Sequence, residues 1–126
     1  MLKRGVYAAS LSVLNKDLTL NVEATISHGE NLIKNGCTGV FFMGSTGQAQ
    51  LCSVDSKKEL ISKIASHKLR KNFFIGLGVN SLSDSISLIK YANEYEINKE
   101  ILIGAPAYYQ NNTDEGVFNF FQRIIS

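Results

Sequence analysis

Residues 40–47 read Val40-Phe41-Phe42-Met43-Gly44-Ser45-Thr46-Gly47. The first four are apolar on consecutive positions rather than alternating. Such a run suits a strand buried on both faces of a parallel sheet. A loop with two glycines and two hydroxyls follows at once. The stretch 21–35 upstream carries Val22, Ile26 and Ile33 on one face and stops at Asn35-Gly36, where glycine suits the left-handed position after a helix. Downstream, Ser53 is placed to cap a helix with Asp55 in its first turn and Leu60, Ile61, Ile64 and Ala65 inward, ending near His67.

The same order of strand, polar loop and amphipathic helix recurs along the chain. Apolar runs span 6–11, 40–43, 73–77 and 101–103. A spacing of roughly 30 residues is what a βα unit needs, because parallel neighbours require a crossover helix. Ser81 or Ser83 caps the third helix, with Asp84 following and Ile86, Ile89 and Ala92 inward. Thr113 caps the fourth, with Asp114 and Glu115 in the first turn and Val117, Phe118, Phe121 and Ile125 as its apolar stripe. The class is therefore α/β, a single domain over residues 1–126. Two architectures fit: an open doubly wound sheet, or part of a (β/α)8 barrel. A whole barrel takes roughly 200–250 residues, so four units in 126 residues make about half of one.

Composition narrows the function. With 13 Lys+Arg against 11 Asp+Glu the net charge is +2, and the densest basic stretch is Lys68-Leu69-Arg70-Lys71. No basic stripe implies nucleic acid. No apolar run approaches the roughly 20 residues that cross a bilayer, so no membrane partner is expected. The run 6–11 after the charged N-terminus is too short for a signal-peptide core. Cys37 and Cys52 lie outside any C-x-x-C spacing and fit a reducing compartment. The expected location is cytoplasmic.

Sites in parallel α/β folds gather at the C-terminal ends of the strands, which directs attention to residues 10–15, 44–52, 78–82 and 104–112. The loop Gly44-Ser45-Thr46-Gly47-Gln48 can turn sharply, and its free N–H groups make a small anion-binding concavity. It lacks the lysine and length of a P-loop, so a carboxylate is the better ligand. A plain turn whose hydroxyls bond their own backbone is the competing reading. In the fourth loop, Tyr108 and Tyr109 could relay a proton or could serve as aromatic packing at a subunit interface. His28, His67, Asp17, Asp55 and Asp84 are read as helix and turn residues. No cluster has metal-ligand spacing, and Gly76-Leu77-Gly78 is not a dinucleotide fingerprint.

These residues resemble a known family. Gly44-Ser45-Thr46-Gly47 with Leu51, Ser53 and Glu59 is similar to the signature of the dihydrodipicolinate synthase / N-acetylneuraminate lyase family. Gly5-Val6-Tyr7-Ala8-Ala9 resembles its first strand, Gly78-Val79-Asn80 its third-strand loop, and Pro106-Ala107-Tyr108-Tyr109 with Glu115-Gly116 a later segment. The resemblance implies the N-terminal half of a class I aldolase barrel that handles pyruvate or another 2-oxo acid through a lysine Schiff base, with no metal or organic cofactor. It implies that Thr46, with Gly47 beside it, holds the carboxylate of the 2-oxo acid and that Ser45 joins a proton relay. The relay's phenol, supplied by a neighbouring subunit of a homo-oligomer, maps to Tyr108, with Tyr109 next in line. Gln48 stands where the family usually has Glu, and Leu11-Ser12-Val13-Leu14 replaces the usual Thr-Pro.

The Schiff-base lysine of such proteins lies later than residue 126. A stand-in would need burial or a cationic neighbour. Of the ten lysines, Lys16 is nearest, in a polar loop, and Lys34, Lys57, Lys58, Lys63, Lys68 and Lys90 sit on helices. None is expected to serve, so the chain alone is expected to be an inactive fragment of a lyase. The alternative is a non-catalytic α/β module that holds a small anion.

Overall fold

The structure, a computed structural model, describes residues 2–104 and 111–126. Four strands, β1 (Tyr7–Ala9), β2 (Gly39–Phe42), β3 (Phe73–Gly76) and β4 (Ile101–Leu102), alternate with four helices, α1 (Val22–Lys34), α2 (Val54–Ala65), α3 (Leu82–Glu94) and α4 (Asp114–Ile125). All pairings are parallel and the sheet order is β1-β2-β3-β4. A sequential order has no reversal point, so the doubly wound alternative falls and the first four units of a (β/α)8 barrel remain.

The helix starts follow from their caps. Asn21 accepts from the Ala24 amide, Ser53 from that of Ser56, Ser81 from that of Asp84 and Thr113 from that of Gly116. Each satisfies an amide that has no partner inside its helix. Of the two serines that could start α3, Ser81 does so. Gly36, at φ 103°, ends α1 as its position suggested.

Register sorts the strand residues into two faces. Val40 pairs with Phe73, and Phe42 pairs with Ile75, which pairs with Ile101. Val40, Phe42, Phe73 and Ile75 are essentially inaccessible and meet Leu60, Ile61, Ile64, Leu88 and Ala92 from α2 and α3 in one core. Phe42 and Phe73 pack edge to face at 5.1 Å. The opposite face carries Tyr7, Ala9, Phe41, Phe74 and Leu102. There Phe74 is buried, Phe41 is half-buried, and Tyr7 and Leu102 are exposed. The consecutive apolar residues thus serve two faces, of which only the helix side is fully covered.

Two helices bury different residues than periodicity suggests. On α3 the most buried positions are Ser85, Leu88 and Ala92, with Ile86 and Ile89 only half-buried. On α4 the buried residue is Ile124, while Phe118 and Ile125 are exposed. Among the described residues that helix packs chiefly against α3, so a narrow stripe suffices.

Candidate active site

Beyond Phe42 the chain leaves β2 through Met43, whose backbone is left-handed at φ 57°, and reaches Gln48, also left-handed at φ 51°. Gly44, Ser45, Thr46 and Gly47 lie between these two bends. The amides of Gln48 and Ala49 donate to the carbonyls of Ser45 (3.0 Å) and Gly44 (3.3 Å), closing the loop on itself. The strand-1 loop buttresses it: Ser12 Oγ donates to the Gly47 carbonyl at 2.6 Å, and the Ser10 amide to the Phe41 carbonyl at 2.9 Å. Gly47 is buried, whereas Ser45 and Thr46 are exposed. Their hydroxyls bond no described residue, and among the described residues no hydrogen bond engages the amides of Ser45, Thr46 or Gly47. A turn consumed by its own hydroxyls would show the reverse. Consecutive N–H groups that no described residue engages are the kind of donors an anion can use.

A cavity of about 440 Å³ opens beside the loop, at the C-terminal ends of β2, β3 and β4. Gly44 and Ser45 line one side, Gly78 and Asn80 another, and Gly104 a third. Thr46 and Gly47 are not part of its lining. Gly44 and Ser45 are therefore the members of the loop that face the cavity, and Ser45 is the one that brings a hydroxyl to it. Tyr108 and Tyr109 lie outside the described residues.

The loop after β3 approaches closely at Gly78, which has no β-carbon to interfere. A β-carbon on Gly78, itself at φ +58°, would stand 2.2 Å from that of Ala49. The two glycines of Gly76-Leu77-Gly78 admit the neighbouring loop rather than a dinucleotide.

Lys57 departs from its expected place. It is 1 % exposed, and Nζ donates to the Gly78 carbonyl at 3.3 Å. Burial pushes its ammonium below the ordinary lysine value, opposed in part by the charges of Cys52 and Asp84. The expectation that no lysine here has a depressed pKa is thus corrected. The signal was in the sequence: Lys57 shares the helical spacing of Leu60, Ile61 and Ile64. It does not line the cavity, however, and no lysine is among the residues that do. Burial also raises the Cys52 thiol, which Lys57 partly offsets.

The other polar suspects are structural. Asp17 Oδ1 accepts from the amide and hydroxyl of Thr19, which holds its carboxyl below the usual range. His67 accepts from the Leu69 amide at Nδ1 and pairs through Nε2 with Glu30 at 3.2 Å. Among the described residues, no group of three or more His, Cys, Asp or Glu could hold a metal ion. No described helix is long and apolar enough to cross a membrane.

The family model described as the dihydrodipicolinate synthetase family matches residues 2–126. The chain belongs to that family. It is 33% identical over 122 residues to a 4-hydroxy-tetrahydrodipicolinate synthase of Methanococcus aeolicus, covering 96% of this chain and 41% of the relative. A dihydrodipicolinate synthase from Agrobacterium tumefaciens superposes with a TM-score of 0.82 at 27% identity, covering 98% of this chain and 43% of that one. A variant of the 2-keto-3-deoxygluconate aldolase of Sulfolobus solfataricus, in a pyruvate complex, superposes with a TM-score of 0.75 at 25% identity, over 94% of this chain and 40% of that one. This member of the family thus spans about two fifths of the length of such relatives.

Proposed function

We propose that this chain is the N-terminal part of a Schiff-base-forming carbon–carbon lyase or aldolase acting on pyruvate or another 2-oxo acid. Residues 1–126 form one partial-barrel domain of a cytoplasmic, homo-oligomeric parent. Thr46 and Gly47 hold the substrate carboxylate. Ser45 relays a proton together with Tyr108 of a neighbouring subunit. The observation that carries the reading is the loop 44–47: two exposed hydroxyls and three amides that no described residue engages, with Ser45 lining a cavity at the strand ends. A carboxylate fits because such donors stabilise an anion without needing a counter-charge.

The absence of lysine from the described cavity lining favours a second reading for the chain by itself, a non-catalytic carboxylate-binding module. One experiment tests the binding that both share. Pyruvate is titrated into the 15N-labelled chain while the amides of Ser45, Thr46 and Gly47 are followed by NMR. The expected result is saturable shifts confined to this loop and its cavity, weakened in Thr46→Val. Shifts that are absent, or equal for pyruvate and acetamide, defeat the carboxylate assignment.

A further inference from the structure

Lys57 lies in the first turns of α2, where a charged side chain could reach water, yet it points into the protein. An ammonium leaves water only at a cost, so a lysine kept there requires a partner that an apolar residue cannot replace. The partner present is the Gly78 carbonyl. Gly78 is a wall residue of the cavity and has left-handed backbone. It also packs closely against Ala49, one residue beyond the bend at Gln48 that ends the 44–47 loop. Gly78 is therefore clamped by the Lys57 ammonium and by the turn carrying Ala49. The charge of Asp84, in the first turn of α3, also reaches Lys57. The hydrogen bond to the Gly78 carbonyl joins α2 to the β3–α3 loop.

We infer that Lys57 is a positioning residue that holds the 78–80 wall of the cavity against the 44–47 loop. It touches no ligand. It acts through the Gly78 carbonyl, whose orientation sets where the following Val79 and Asn80 stand around the cavity. The inference rests on the proposed 2-oxo acid reading only for what the cavity receives.

The test compares Lys57→Met, which keeps length and loses the donor, with Lys57→Arg, which restores charge and donors. Amide hydrogen exchange of the 126-residue chain is read at Gly78, Val79 and Asn80, and at Val40 and Ile75 in the core strands. Pyruvate affinity is read by NMR titration. In Lys57→Met the loop amides are expected to exchange about tenfold faster while Val40 and Ile75 hold their rates. The pyruvate dissociation constant is expected to rise about tenfold, because small displacements of site walls are costly. Lys57→Arg is expected to recover part of both. Unchanged loop exchange overturns the inference, as does equal acceleration in loop and strands, which marks general destabilisation. Should Lys57→Met not fold, Lys57→Gln is read by the same criteria, and collapse of both variants overturns the inference. If the wild-type chain binds no pyruvate, the proposed function fails, while the exchange measurement still decides the role of Lys57.

Discussion

A β-carbon on Gly76 would stand 2.5 Å from the carbonyl oxygen of Met43. Met43 is the left-handed residue that turns the chain out of β2, and Gly76 is the last residue of β3. The turn leading into residues 44–47 and the end of β3 are therefore fitted to each other through backbone, which cannot rotate aside as a side chain can. Gly76→Ala is expected to destabilise the chain by about 1–3 kcal/mol, as overpacking does. Urea unfolding of the two forms checks it, and equal midpoints refute the close fit.

Lys57 predicts an unusual pH dependence. Burial lowers its folded-state pKa below the ordinary 10.5, so the unfolded chain keeps that proton to higher pH. Where the unfolded state binds more protons, stability rises with pH. The contribution should therefore grow as pH climbs through the folded value toward 10.5. Lys63, raised by its hydrogen bond to Glu23, acts with the opposite sign, losing stability as pH rises from the ordinary lysine value through its own. Denaturation midpoints of wild type and Lys57→Met, measured across the alkaline range, separate the two. An identical pH slope in both proteins would contradict the prediction.

A second consequence concerns chemistry. Burial lowers the basicity of Lys57, the direction a Schiff-base lysine needs, but the side chain is 1 % exposed and stands outside the cavity lining. The chain treated with pyruvate and borohydride is expected to gain no pyruvyl mass on any lysine. Mass spectrometry reads the result directly, and an adduct on Lys57 would show that the clamp opens to solvent.

The caps Ser53 and Thr113 were plain in the sequence for local reasons, whereas the sequential strand order followed from the family resemblance and not from spacing alone. Asn21, Ser53 and Thr113 each precede an apolar stripe and satisfy amides three residues on. The Ser45–Thr46 loop was legible because a glycine-flanked hydroxyl pair directly follows a buried strand. Lys57 was not read correctly, since a charged residue on a helix is ordinarily solvated and its partner is a carbonyl 21 residues away. Phe118 was misread for the opposite reason. Helical periodicity identifies an apolar face but not whether a neighbour covers it, and this side chain is 64% exposed.

The sheet ends at β1 on one side and β4 on the other. Tyr7 and Leu102 stand exposed on the face away from the helices, and Val6 beside β1 is 67% exposed. Unpaired strand edges flanked by apolar side chains invite pairing with another chain. The 126-residue chain by itself is expected to self-associate, with a sedimentation coefficient that rises with concentration. A stable monomer with a sharp thermal transition would oppose this.

Site roles can be separated in a chimera that continues these 126 residues with the remaining barrel of a family relative. Thr46→Val is expected to raise the pyruvate KM. Tyr108→Phe is expected to lower kcat by about 10²–10⁴-fold, the range for a positioned proton-transfer group. Steady-state kinetics on both variants decides the assignment. Wild-type constants in both would remove it, whereas impairment only in Tyr109→Phe would shift the relay by one residue.

Met43 and Gln48 hold left-handed backbone without being glycine. Such backbone persists only where the surroundings over-determine it, so the bends at either end of residues 44–47 are held by the fold. If the loop takes a carboxylic acid as proposed, its donors would already be ordered and little conformational entropy would be lost on docking. Calorimetry across small carboxylic acids would then find affinities that differ chiefly in enthalpy. The heat-capacity change would stay small, as for a rigid receptor exchanging water for one anionic group.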